Sequence, residues 1–328
     1  MQRKVTLLAP ILALVVSILA CGLPSAATTP EATPAPTDAG FQPPTEAVGS
    51  APTPAETEPP AQGSPEASPV AGGEGVDKEI TLASTESLAK IGLLGKLVDA
   101  FQNTTGYRVK LELGGAGRAF RLGEKYVADV LLVNEPGSEI KFISDGYGKD
   151  RVLVFHTDYV IVGPADDPAG IKGLPSAVEA LKKIAGAQAK FITRNAESEV
   201  VKREKRLWAD AGINPSGDWY IPAVDAGMVG VLKLASDKKA YTLTDRATFL
   251  ENKGNLQLVI LLQGDPALSD PYHVVTGNPD RSPKINAVVS QAFVDFLLSP
   301  QAQEIIAQFG VDTYGEPLFF ADAGKAEN

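Results

Sequence analysis

From Lys78 onward the apolar positions change period several times. Ile80-Thr81-Leu82-Ala83 reads as a buried strand, and Leu93, Leu94, Leu97, Val98 and Phe101 then recur at helical spacing. Gly106 ends that helix, Tyr107 to Leu113 alternates as a strand, and Gly114-Gly115-Ala116-Gly117 makes a turn before a short helix over 118–125. Val130-Leu131-Leu132-Val133 is continuously apolar, as a parallel strand covered on both faces requires. A second series follows: a long β-rich run at 152–162, a helix at 177–185, a strand at 190–193 and a helix at 198–211 bearing Val200, Val201, Leu207 and Trp208. A helix at 228–235, strands at 241–244, 256–262 and 272–276, and two helices at 285–298 and 301–309 complete it, with Pro300 at a helix start. Alternation of strand and helix predicts doubly wound α/β sheets. No internal repeat is present.

The first 77 residues have a different pattern. Gln2-Arg3-Lys4 precedes an apolar stretch from Val5 to Leu19, then Ala20 and Cys21. A basic head, a short apolar core and a small residue before the cut predict a secretory signal over 1–20. Residues 21–77 are rich in Pro, Ala, Thr, Glu and Gly, with Phe41 their one aromatic. Such a segment cannot bury enough surface to offset its ordering entropy, so a disordered tether is expected.

The chain has 328 residues and a formal net charge of −10. That balance argues against nucleic acid, which needs a basic face, but not against a small anion held by local donors. One Cys excludes an intramolecular disulfide or a Cys-based metal cluster. His156 and His273, the only histidines, stand in no metal or triad spacing. No Gly-x-Ser-x-Gly elbow, Walker loop or metalloprotease pair occurs, so an enzyme is not expected.

Several blocks now stand in a recognisable order: Ala128-Asp129-Val130-Leu131-Leu132-Val133, Asp158-Tyr159-Val160-Ile161-Val162-Gly163-Pro164, Ala240-Tyr241-Thr242-Leu243-Thr244-Asp245-Arg246 and Gly315-Glu316-Pro317-Leu318-Phe319-Phe320. Over residues 80–320 the chain resembles the tungstate-binding proteins of ABC importers. The resemblance implies a two-lobed type II periplasmic-binding-protein fold, each lobe a mainly parallel sheet flanked by helices. Two crossing strands would join the lobes, with lobe I at 78–160 plus 272–322, lobe II at 161–271 and a tail at 323–328. Ile18-Leu19-Ala20-Cys21 resembles a bacterial lipobox, which implies acylation of Cys21 and anchoring to the outer face of the cytoplasmic membrane. The implied partners are a small oxyanion and the ABC permease subunits. The membrane is expected to be reached only through the lipid, with no nucleic acid, cofactor or metal, and a monomer is expected.

Four turns are candidates for the ligand site, since helix N-termini at strand ends present free N–H groups to an anion. The first is Ser84-Thr85-Glu86-Ser87, the second Ala116 and Gly117, the third Arg194 to Ser198, and the fourth Gly227 and Met228; Arg246 adds a charge at the rim. Each has a structural alternative: Ser and Thr cap helices, glycines make turns, Arg194 can pair with Glu197, and Asp245 can cap a helix. Against the family pattern, Glu86, Ala116, Glu199, Val200 and Val231 stand where polar donors are expected. A carboxylate beside a fully deprotonated dianion is costly. Three ligand readings therefore stay open: a tungstate-type oxyanion, a small ligand bearing its own proton such as phosphate or an organic acid, and a site that has lost function. A sensor on the same scaffold is the rival to transport.

Overall fold

The computed structural model describes residues 77–224 and 226–326. The expected leader, Cys21 and nearly all of the tether lie outside the described residues.

Strand β1 (Glu79–Thr85) leads into helices α1 (Glu86–Ile91) and α2 (Leu93–Thr105), then β2 (Arg108–Gly114), α3 (Ala116–Glu124), β3 (Val130–Val133) and α4 (Pro136–Ser144). The long strand β4 (Gly148–Gly163) follows, then α5 (Ala177–Gly186), β5 (Phe191–Arg194), α6 (Glu199–Asp210), β6 (Tyr220–Ala223) and α7 (Met228–Lys238). Next come β7 (Thr242–Asp245), α8 (Arg246–Asn252), β8 (Val259–Leu262) and β9 (Ser269–Gly277). The chain closes with α9 (Ala287–Leu298), α10 (Pro300–Gln308), α11 (Val311–Tyr314) and β10 (Phe320–Ala321). Gly106 ends α2 at φ 72°, a left-handed conformation that glycine adopts without a Cβ clash.

One sheet has the order β10-β4-β9-β3-β1-β2. Its parallel part is β3-β1-β2, with Ser84 opposite Leu132 and Thr85 opposite Gly114. Strand β9 runs antiparallel to β3 and to β4, so the far end of β4, at Asp158, lies beside Ser269 and on the same edge as Val133. Beyond Asp158, β4 enters a second set of strands. There Tyr159 pairs with Asp245 of β7 and Ile161 with Leu262 of β8. Strands β5 and β6 are parallel, and Phe191 bridges Tyr241 in the same sense. The parallel character thus holds in β3-β1-β2 and β6-β5-β7, while the antiparallel pairs occur along the strands that connect them.

These registers decide which ends meet. The carboxyl ends of β1, β2 and β3 point the way β4 leaves its first sheet. The carboxyl ends of β5, β6 and β7 point back toward Tyr159, against the direction of β4. The turns after Thr85, Gly114 and Val133 therefore face those after Arg194, Ala223 and Asp245 across one gap.

On the first side, the predicted stripe Leu93, Leu94, Leu97, Val98 and Phe101 is buried. Phe101 meets Phe293 of α9 edge-on at 5.0 Å. On the second side Trp208 meets Phe191 edge-on at 5.4 Å. Between them, Phe155 of β4 stacks on Tyr272 of β9 at 4.8 Å and meets Phe319 edge-on at 5.4 Å. A fully buried Phe in this role is expensive to remove. Phe155→Ala is expected to lower stability by about 3–5 kcal/mol in chemical denaturation; a loss below ~1 kcal/mol would show that this aromatic joint does not hold the crossing strands.

Candidate ligand cleft

Thr85 ends β1 and caps α1. Its Oγ1 accepts from Leu88 N at 3.4 Å and from Ser87 Oγ at 3.2 Å. The buried hydroxyl of Tyr272 lies against the Thr85 and Ser87 side chains, and burial pushes it well above the usual tyrosine range. Ser84 departs from expectation: it is fully buried, and its Oγ donates to Leu132 O of β3 at 2.7 Å, so its one hydrogen is committed to the sheet.

Helices α3 and α7 open with Gly115 and Gly227, neither of which makes a side-chain cap. The N–H groups at Ala116 and Gly117, and at Met228 and Val229, therefore have no side-chain acceptor of their own cap. Ser198 caps α6, accepting from Val201 N at 3.3 Å.

Arg194 ends β5 opposite Ala223. Its Nε is buried and has no hydrogen-bond partner among the described residues. The alternative pairing with Glu197 does not form: Glu197 sits 3.6 Å from Lys205 instead. A buried guanidinium nitrogen without a partner is costly unless something fills it.

The residues that departed from the family pattern have a simple geometry. Glu86 is 59% exposed and pairs with Lys90 at 3.2 Å, one turn along α1. Glu199 is 71% exposed and pairs with Lys202 at 2.7 Å. The expectation that the Glu86 side chain sits against the ligand is thus corrected: helix phase carries it outward. Val231 is buried in the core, and Val200 is partly buried against the α5–α6 side.

Arg246 is also corrected. It is buried and forks onto Asp158, with Nε to Oδ1 at 2.5 Å and Nη2 to Oδ2 at 2.8 Å. It further donates to Gln263 Oε1 at 2.7 Å and Glu316 Oε2 at 3.0 Å, and lies over the Phe320 ring. Four of its five N–H groups are committed. It joins β4, α8, the segment after β8 and the C-terminal loop rather than lining the rim. The alternative for Asp245 holds, since it caps α8 by accepting from Thr248 N at 2.8 Å.

Sequence reasoning missed a cavity of about 900 Å³ in this gap. Asn134 and Glu135 line one wall, Glu199, Lys202 and Arg203 the other, and Asp270 its floor; none of the sequence-expected ligand residues lines it. Asn134 Nδ2 donates to Asp270 Oδ2 at 3.0 Å. The signal was there: Asn134 directly follows the apolar run of β3, at the carboxyl end of a parallel strand. Burial pushes the Asp270 carboxyl up to about 6, against the opposing hydrogen bond of Asn134 and the attraction of Arg203.

A family profile described as "PBP superfamily domain" matches residues 54–301. The chain is 42% identical over 248 residues to the tungstate-binding protein TupA of Peptoclostridium acidaminophilum, covering 75% of this chain and 86% of that protein. The chain belongs to the tungstate-binding family of the PBP superfamily. Solved structures agree with this placement. The tungstate-binding protein TupA from Desulfovibrio alaskensis G20 has a TM-score of 0.67 at 34% identity, covering 75% of this chain and 99% of that one. The tungstate ABC transporter from Geobacter sulfurreducens gives 0.55 at 37%, covering 71% and 99%. In this tungstate-binding family member no helix among the described residues is long and apolar enough to cross a membrane.

The Arg246 fork generates a stability prediction. Arg246→Leu strands Asp158, 4% exposed, without its cation. Denaturant unfolding is expected to show a loss of about 3–5 kcal/mol, largely recovered when Asp158→Leu is added. Unchanged stability of the single variant would show that the fork does not hold the crossing.

Proposed function

We propose that this chain captures a tetrahedral oxyanion of the tungstate type in the gap between its two sheets and hands it to an ABC importer. The observation that carries this reading is the buried Arg194 Nε, which has no hydrogen-bond partner among the described residues. Glu86 is paired to Lys90 in solvent, and the turns supply a donor set: the Ser198 hydroxyl, the helix N–H groups at Ala116, Gly117 and Met228, and Arg194. A fully deprotonated dianion offers acceptors alone, so a donor set suits it. The names of the relatives, tungstate-binding proteins and a tungstate transporter, support the same class.

The two-sided construction supplies the mechanism. Donors from the first side and from the second are satisfied together only when the lobes approach, so the anion favours the closed state by its differential affinity. Arg194 provides the counter-charge, and its fork suits two oxygens. The permease then recognises the closed form. In this reading residues 1–20 direct export, Cys21 carries the lipid, and the segment to residue 77 lets the domain search near the membrane surface.

Titration calorimetry with tungstate, molybdate, sulfate and phosphate tests the ligand class. Tungstate and molybdate are expected to bind tightest at neutral pH. Arg194→Ala is expected to cost about 2–5 kcal/mol, or roughly 30-fold or more in affinity. Glu86→Gln and Glu199→Gln are expected to change affinity less than about threefold, because exposed pairs contribute little. Binding confined to proton-bearing ligands, or a large gain in tungstate affinity from Glu86→Gln, would contradict this reading.

A further inference from the structure

We propose that Asp270 is a positioning residue for anion capture: it ties the Asn134 turn of lobe I to helix α6 of lobe II, and it takes up a proton when the lobes close on the anion. This rests on the capture reading above.

The geometry singles out Asp270. It is the second residue of β9, where the chain returns from the second sheet to the first, and it lies on the floor of the cavity between them. Its Oδ2 receives the 3.0 Å hydrogen bond of Asn134, which follows β3. Its Oδ1 lies 4.0 Å from Arg203 Nη2 on α6. Arg203 is itself fixed, donating to Ala267 O at 2.9 Å and resting over the Tyr159 ring at 5.0 Å. One carboxylate thus touches a turn of one lobe and a helix of the other, and that helix opens at Ser198, beside Arg194 in the anion site.

The surroundings poise it for protonation. Helix α6 contributes the Arg203 cation and the Glu199 anion, and the end of β7 contributes Asp245. Strand β4 contributes Asp158, already forked by Arg246, and Tyr159; Tyr272 is its neighbour on β9. Glu135, after β3, adds another acid to the cavity wall. With burial first, Glu199 and Asp245 hold Asp270 near 6 in spite of Asn134 and Arg203. Just above that value the empty cleft holds it mostly ionised, and a modest change neutralises it.

Closure makes that change. The cavity walls come from both lobes, so their approach removes water from Asp270. That loss of water disfavours the carboxylate. A neutral carboxyl still accepts from Asn134, so the lobe I contact survives. The attraction to Arg203 is lost, leaving Arg203 as an uncompensated cation on the helix whose first turn faces the anion. The sign follows. The bound protein holds more protons than the free protein, so affinity rises as pH falls toward about 6 and levels off below it, where free Asp270 is protonated as well.

Calorimetry on the full chain with sodium tungstate near pH 7, in two buffers of different ionisation enthalpy, reads the proton directly. The expected result is net proton uptake, with affinity changing by up to about tenfold per pH unit above pH 6, the limit for one linked proton. Asp270→Asn, which keeps an acceptor for Asn134, is expected to lose both the uptake and the slope. Should that variant fail to fold, Arg203→Met is expected to move the levelling-off to higher pH, because the cation that favours the carboxylate is gone. Equal heats in the two buffers, a retained slope in Asp270→Asn, or an unmoved profile in Arg203→Met overturns the proposal. Tungstate binding without proton uptake overturns this inference alone. No tungstate binding by the wild-type chain overturns the capture reading and this inference with it.

Discussion

The structure depends on one strand serving two sheets. Strand β4 pairs with β9 up to Asp158 and with β7 and β8 from Tyr159 on. Because β7 is antiparallel to it while β3 points the same way, the carboxyl ends of both parallel sets are forced to face each other. Every candidate donor follows from that constraint, since helices after parallel strands start at those ends and present their N–H groups there. The Arg246–Asp158 fork and the Phe155–Tyr272 stack hold the crossing where the constraint acts.

Electrostatics then separates framework groups from candidate ligand groups. Arginine provides the contrast. Arg246 has four of its N–H groups satisfied by Asp158, Gln263 and Glu316, whereas Arg194 keeps a buried Nε without a described partner. Serine repeats the distinction: Ser84 donates into the sheet, and Ser198 accepts from its helix. In each pair, what decides the role is where the hydrogen atoms already go, not the residue type.

Much of the fold was legible because it rests on local period. The stripe Leu93 to Phe101, the run Val130 to Val133 and the helix opening at Met228 all appear where the pattern puts them. Short elements were not legible. Helices α1, α4 and α8 and strand β6 are four to nine residues long, and their patterns are too brief to stand out from turns. The turns of the site were legible as helix starts after strands, but side-chain direction was not. Glu86 and Glu199 looked like intruders in an anion site; Glu86 pairs with Lys90 in solvent, and Glu199 pairs with Lys202 along the cavity wall. The Asn134–Asp270 bond was beyond reach, because its partners stand 136 residues apart and meet only through β-sheet register.

Anomalous diffraction at the tungsten edge, from crystals grown with tungstate, locates the bound atom independently of any affinity. The account predicts one dominant peak between the turns, within hydrogen-bonding reach of Thr85, the start of α3, Arg194 and Ser198, with Glu86 still turned to Lys90. A peak confined to the cavity beside Asn134 and Lys202, away from Thr85 and Arg194, would contradict it.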